Sequence, residues 1–279
     1  FVVLPLVLAV WQGLRPLRRL AEQVGQRSHS DLSALQEPTG YAELAPLVGA
    51  FNELLARARQ HRVREQAFVQ DAAHELKTPL AVVAAQAHVL AGARDDAQRA
   101  AALRALEQGV QRASHQVNQL LTLAALEHAD APPPVETDLV ALAREVLIEL
   151  EPLARNRRVE LVLESPDRLT GPVDVQALRS VLVNLLRNAI EHGAAGGTVV
   201  VALDRSAGAI RLAVSDDGPG IPVAERERVF DRFYRAEGTR SAGSGLGLAI
   251  VQRAAQRLQA RVAIEDGPQG RGVTVLLHF

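Results

Sequence analysis

The sequence has no cysteine and no methionine, a single lysine, and aromatic residues at only 3% of its 279 positions. Without cysteine there is no disulfide framework, no thiolate metal centre and no cysteine nucleophile. The charges nearly cancel, 31 Lys+Arg against 32 Asp+Glu, so no field gathers nucleic acid and direct nucleic acid binding is not expected. The one lysine is Lys77 and every other basic residue apart from histidine is Arg, a skew that looks compositional rather than functional. A chain that opens on Phe1 and lacks Met is expected to be a piece of a longer protein. What is present, 48% apolar and 23% charged residues, is ordinary globular composition and excludes wholesale disorder and a polytopic membrane protein. At about 100–200 residues per domain, the length suggests two or three domains.

The apolar run from Phe1 to Trp11 is followed at once by Arg15, Arg18 and Arg19. It is too short to cross a bilayer, which takes about 20 residues. A signal peptide would carry its basic residues before the apolar run. Here the order is reversed, with an aromatic at the join, and residues 1–11 are expected to be the cytoplasmic end of a transmembrane helix. Leu14, Leu17, Ala21 and Val24, then Leu44, Leu47, Phe51, Leu54 and Ala58, step by three and four and predict two short amphipathic helices joined by a polar connector from Gly25 to Gly40. From Val69 a seam of Ala73, Leu76, Leu80, Val83, Ala87 and Leu90 continues. After a turn at Ala91–Asp96 it is answered by Leu103, Leu106, Val110, Ala113, Val117, Leu120 and Ala124. That is an antiparallel hairpin, and two hairpins make a four-helix bundle, so a homodimer is expected. Ala131–Pro134 marks a boundary. Beyond it, helix patterns from Leu139, over Val175–His192 and over Leu248–Leu258 alternate with strand-like runs at Val159–Leu163, Val199–Leu203, Ile210–Val214, Val262–Ile264 and Val273–Phe279. This predicts an α/β sandwich.

Two places carry chemistry. The first is Asp71–Leu80 (DAAHELKTPL). His74 follows the seam residue Ala73 and so faces water, and Thr78 lies one turn further on the same face. Pro79 sits inside the helix, a costly position of the kind found at functional sites. A zinc-protease motif is excluded because Thr78 stands where a second His is needed. An imidazole nitrogen of His74 can attack phosphorus, with Glu75 placed to accept the other ring proton. The second place is assembled from four strings. Asn184 and Asn188 lie one turn apart on a helix that Asp174 is placed to cap, and their amide oxygens suit a Mg²⁺ already holding phosphate. Asp216, with Gly218 and Gly220, ends a strand where a carboxylate can accept from the exocyclic amine of adenine. Gly243, Gly245, Leu246 and Gly247 open a helix and can cradle phosphate, although the string is neither a Walker loop nor a Rossmann turn. Phe230 and Phe233 precede it as the anchor of a lid, and Arg235 is within reach of a phosphate.

Together these strings resemble the bacterial sensor histidine kinases of two-component systems. His74-Glu75-Leu76-Lys77-Thr78-Pro79 resembles the family's H box and Asn184…Asn188 its N box. Asp216-x-Gly218-x-Gly220, Phe230…Phe233 and Gly243-x-Gly245-Leu246-Gly247 resemble the first glycine box, the F box and the second glycine box, all in the family's order. The resemblance implies a HAMP relay at residues 12–62, a dimerisation and phosphotransfer hairpin at 63–130, and a Bergerat-type ATP-binding domain at 135–279. It implies that His74 is phosphorylated from ATP·Mg²⁺, with Asn188 on the metal, Asp216 on adenine and His192 lining the pocket. The phosphoryl group then passes to an aspartate of a response regulator receiver domain. Glu75-x-x-Thr78 resembles the motif with which such kinases also dephosphorylate that partner. The implied location is the bacterial inner membrane, with the kinase portion in the cytoplasm. One departure is Glu191, where family members often carry Lys; Arg187 or Arg235 would have to compensate. Two other readings differ in class. An ATP-hydrolysing machine of the same nucleotide fold needs a carboxylate where Asn184 stands, and a degenerate scaffold would be expected to have lost a box.

Overall fold

The computed structural model of the chain describes residues 3–26, 31–35, 44–128, 132–206, 208–235 and 244–279. It resolves into two compact units, Phe1–His74 and Glu75–Phe279. In the first unit, helix α1 (Val3–Gly25) runs without a break through the apolar run and the arginine cluster. A continuous helix puts Arg18 two turns from Trp11 on one face, and its guanidinium lies 5.4 Å from the indole ring. Among the described residues no helix is long and apolar enough to cross a membrane.

Helix α2 (Ala45–Ala91) passes unbroken through 62 and 63, where the sequence reading changes domain, and through Pro79. Its buried stripe in the first unit is turned by one residue from the predicted one. Val48 and Leu55 are buried, whereas Leu47 and Leu54 are exposed. The cause is the connector, which reads as polar but contributes Leu32 and Leu35 to a small core with Val48, Leu55, Leu20 and Phe51. Asn52 fixes it there: the Leu35 N–H donates to Asn52 Oδ1 at 2.6 Å, and Asn52 Nδ2 donates to the Leu35 carbonyl at 3.1 Å. One side chain thus satisfies both backbone groups of a non-helical residue that is nearly dry.

The second unit opens with the rest of α2 and helix α3 (Asp96–His128). Asp95 caps α3 by accepting from the Gln98 N–H at 2.7 Å. Gly109 lets α3 approach α2 closely, since a methyl group there would lie 3.1 Å from Val83 Cγ2. Leu80, Leu103, Val110 and Val117 of the predicted seam remain exposed in the single chain.

The rest of this unit is an α/β sandwich. Strand β1 (Val135–Asp138) pairs antiparallel with β3 (Thr170–Val173). Between them lie helix α4 (Leu139–Arg157) and strand β2 (Glu160–Glu164). Helix α5 (Val175–His192) follows, then β4 (Thr198–Ser206), β5 (Ala209–Ser215), helix α6 (Gly247–Arg257), β6 (Arg261–Asp266) and β7 (Val273–His278). The main sheet has the order β2-β4-β5-β7-β6, parallel only between β2 and β4. Period-two alternation buries Val199, Val201 and Leu203 on β4. Leu178, Val181, Leu182, Leu185 and Leu186, spaced as one helical face, bury the apolar side of α5. Neither β1 nor β3 is predicted: each is four residues, and β3 contains Gly171 and Pro172, both unfavourable in strands.

Asp174 holds two of these elements at once. Its Oδ1 accepts from the N–H groups of Gln176 and Ala177, capping α5. Its Oδ2 accepts from Arg257 Nε of α6 at 2.6 Å, with both side chains at least nine-tenths buried. Asp174→Ala is therefore expected to cost about 3–5 kcal/mol, the range for removing one partner of a buried ion pair. Asp174→Asn, which keeps a capping oxygen, should cost less. Denaturant unfolding of both variants checks this; equal small losses would show that the pair contributes little.

Candidate functional site

A cavity of about 820 Å³ opens in the second unit. One wall is helical: Glu75, Thr78 and Pro79 of α2 with Arg112, His115 and Gln119 of α3. The other wall is built from α5, the end of β5 and the start of α6, including Asn188, Asp216, Gly245 and Gly247.

Helix α5 acts as the ruler of the site. At its C-terminal end, Gly193 sits against Asp216: a methyl group at Gly193 would come 3.6 Å from Asp216 Cβ. At Asn184 and Asn188 the backbone of Gly247 crosses, and a methyl group on Gly247 would lie 3.2 Å from Asn188 Oδ1. At 1.5 Å per residue, Gly193 and Asn184 stand about 13 Å apart along the helix axis.

The two adjacent aspartates have opposite fates. Asp217 is spent on structure, its Oδ2 accepting from the Thr198 N–H at 3.0 Å where β4 begins. Asp216 lines the cavity, held by Oδ1 accepting from the Gly218 N–H at 2.9 Å and by its own N–H donating to the Val273 carbonyl. Burial pushes its carboxyl above the usual value, against the lowering effect of the backbone N–H groups of Gly218 and Val273 on the carboxylate. Gly218 has to be glycine here. A Cβ would lie within 3 Å of the His192 carbonyl and of Asp216 Oδ1, and His192 itself lines the cavity. Gly220, at φ +82°, completes the turn.

The second glycine string is seated by Phe233. Its N–H donates to the Gly245 carbonyl at 3.0 Å, and Gly245, at φ +70°, lies so close that a Cβ would meet the Phe233 backbone at 2.7 Å. Leu246 is buried and α6 starts at Gly247. Gly243 lies outside the described residues. Arg235 lines the cavity.

Asn184 is buried and occupied. Its Nδ2 donates to the Ser180 carbonyl at 2.8 Å and its Oδ1 accepts from Gln119 Nε2 at 3.4 Å. Gln119 Oε1 in turn accepts from Ser244 Oγ at 2.6 Å, which itself accepts from the Leu246 N–H. Asn188 lines the cavity, and its amide has no hydrogen-bond partner among the described residues. His74 is exposed on α2, immediately before Glu75 in the chain.

Sequence reasoning missed Gln119 and His115. The signal was there: Gln108, Arg112, His115 and Gln119 form a polar stripe at helical spacing beside the apolar seam of α3, and all four line the cavity. Burial, and then the charge of Arg187, push the His115 imidazole below its ordinary value, with Glu191 opposing, so it is neutral at pH 7. The C-terminal end of α3 is tied down by Arg257 donating to the Ala125 carbonyl and by the ion pair of Arg232 with Glu127.

Three family models match along the chain in order. They are a HAMP domain of the sensor protein PhoQ-like kind at residues 14–60, the His Kinase A phospho-acceptor domain at 64–129, and the histidine kinase-, DNA gyrase B- and HSP90-like ATPase at 173–279. The chain belongs to the bacterial two-component sensor histidine kinases. Its similar proteins include the swarming motility regulation sensor protein RssA of Serratia marcescens, 34% identical over 281 residues, covering 100% of this chain and 60% of that protein. Sensor protein QseC of Escherichia coli K12 is 35% identical over 277 residues, covering 96% and 61%. The chain thus spans about 60% of the length of these curated relatives. The Acinetobacter baumannii histidine kinase AdeS shares the fold, with a TM-score of 0.59 at 22% identity over 74% of this chain and 96% of that one.

The buried Asp216 carboxyl has a consequence for stability. A folded-state value above the unfolded one stabilises below the unfolded value and is lost as pH rises through the folded one. Asp216→Asn, neutral at every pH and still able to accept from Gly218, should therefore melt no lower than the parent at pH 7–8 without ligand. The two melting curves should converge on acidification. A variant that melts lower across the whole pH range would refute the desolvation account.

Proposed function

We propose that the chain autophosphorylates His74 from ATP and passes the phosphoryl group to an aspartate of a response regulator. One observation carries this: a single cavity is walled by the H-box turn on one side, at Glu75 and Thr78, and by the glycine and asparagine strings on the other. The family's ATPase and phospho-acceptor models cover the same two walls. In this reading adenine sits at the Asp216 end of α5, and the phosphates lie toward Asn188 and the backbone N–H groups that open α6. Those groups face charge that is already present on the nucleotide and grows little in transfer, so the protein's task is to hold and orient. Glu75 orients the His74 ring, leaving a neutral nitrogen to attack the terminal phosphorus.

Mg²⁺ fits the residues present. Among the described residues no group of three or more His, Asp or Glu is placed to hold a metal alone. An uncharged, unpartnered Asn188 suits an ion that takes most of its oxygens from phosphate and water. When bound, that ion neutralises charge on the phosphates; Asn188 is the residue that would hold it. The exposed seam of Leu80, Leu103, Val110 and Val117 suits burial against a second copy as a four-helix bundle. The apolar start of α1, followed by Arg15 and Arg18, suits the cytoplasmic end of a membrane span, with the rest of the chain in the cytoplasm.

Incubation with γ-labelled ATP and Mg²⁺ should give acid-labile, alkali-stable label that His74→Gln abolishes without loss of nucleotide binding. Full labelling of that variant would remove His74 from the reaction. Thr78 should separate two activities. Its hydroxyl can hold a water for attack on the partner's aspartyl phosphate, whereas the forward step excludes water. Thr78→Ala should keep autophosphorylation within a few-fold and lose roughly 10²-fold of the dephosphorylation rate, the scale of one positioned polar contact. Equal loss of both activities would make Thr78 structural.

A further inference from the structure

Arg187 stands on α5 one residue before Asn188 and one turn before Glu191, in the wall of the cavity. Its NH1 reaches Glu191 Oε1 only at 3.4 Å, long for a charge-assisted hydrogen bond. With Arg preceding Glu, the pair also has the less favourable order for an i, i+4 ion pair. The Arg187 Nε is buried and has no hydrogen-bond partner among the described residues. A buried donor left unmatched is costly, and a planar guanidinium is shaped to meet two oxygens of one anion at once. From the opposite wall His115 faces the same Arg187–Glu191 pair, with Arg112 one turn away. Arg187 lies six residues from Gly193, hence about 9 Å along the helix from the Asp216 end. That separation is comparable to the distance from a base to the phosphates it carries.

We propose that Arg187 is the phosphate-binding cation of this cavity, exchanging its weak contact with Glu191 for the oxygens of the nucleotide's terminal phosphates. The proposal rests on reading the cavity as a nucleotide site, and it gives the site its preference for a triphosphate over a bare nucleoside. Glu191 then competes with the phosphates for the same guanidinium, and its charge opposes theirs.

The test is calorimetric titration of the whole chain with ATP, AMP and adenosine in the presence of Mg²⁺. Arg187→Gln should weaken ATP on the order of tenfold while adenosine stays within about twofold, the loss of one charge-assisted contact made only to phosphate. Arg187→Lys should recover part of the loss. Glu191→Gln should tighten ATP several-fold, and by clearly less when Arg187 is Gln, because only the direct repulsion is then relieved. Unchanged ATP affinity in Arg187→Gln, or an equal loss for ATP and adenosine, would overturn the proposal. If Arg187→Gln does not fold, Arg187→Lys decides: weaker ATP binding with adenosine unchanged supports the assignment, and unchanged ATP affinity refutes it. A parent chain that binds neither ATP nor adenosine would instead bring down the nucleotide reading beneath it.

Discussion

The ion pair between Asp174 and Arg257 fixes where the walls of the cavity stand. Asp174 ends the approach to α5 and starts the helix, so it sets the rotation and register at which Asn184, Arg187 and Asn188 emerge. The same carboxylate takes Arg257 from the last turn of α6, the helix that Gly247 opens. Arg257 in turn donates to the Ala125 carbonyl of α3. Three helices are thus referred to one buried carboxylate. Two charges removed from water offset their desolvation only when the remaining lone pairs and protons are matched. Here both carboxylate oxygens are used, one on the cap and one on the arginine.

From that frame the division of labour along α5 follows. An amphipathic helix against a sheet has one face to bury and one to spare, and α5 spends the spare face on the cavity. Midway along it the spare face is sealed by the Asn184–Gln119–Ser244 chain, a polar network between α5, α3 and the segment that opens α6. Such a chain is tolerable only when its members are paired, and it leaves Asn184 committed. One turn further on, Asn188 has no hydrogen-bond partner among the described residues. The two asparagines look equivalent in sequence, and the fold makes one a strut and leaves the other available.

Much of this was legible because it is local. The Asp174 cap and the limits of α5 come from an acidic residue followed by a clean helical stripe. The pairing of the two helices of the hairpin comes from heptad spacing, and the choice of Asp216 comes from its place after a strand. What was not legible depends on contacts between distant residues. Val48 and Leu55, rather than Leu47 and Leu54, are buried because Leu32 and Leu35 of the connector return to that side; no periodicity within α2 encodes a partner outside it. Strands β1 and β3 are stabilised by each other, not by their own propensity. Gln119 and His115 read as solvated surface until α5 is placed opposite them. Their polar stripe was visible, but its partner was not.

The same helix also bears on the choice between phosphoryl transfer to a side chain and transfer to water. A hydrolytic site needs a carboxylate free to take a proton beside the terminal phosphate. At position 184 the residue is an amide, which cannot take one, and its oxygen already accepts from Gln119. Glu191 lines the cavity, but it is half-buried and paired with Arg187 one turn away on the same helix. Glu75 lies on the helical wall of the cavity, in the turn that follows His74 in the chain. In the proposed reading, the amide at position 184 favours handing the phosphoryl group to a side chain over losing it to solvent.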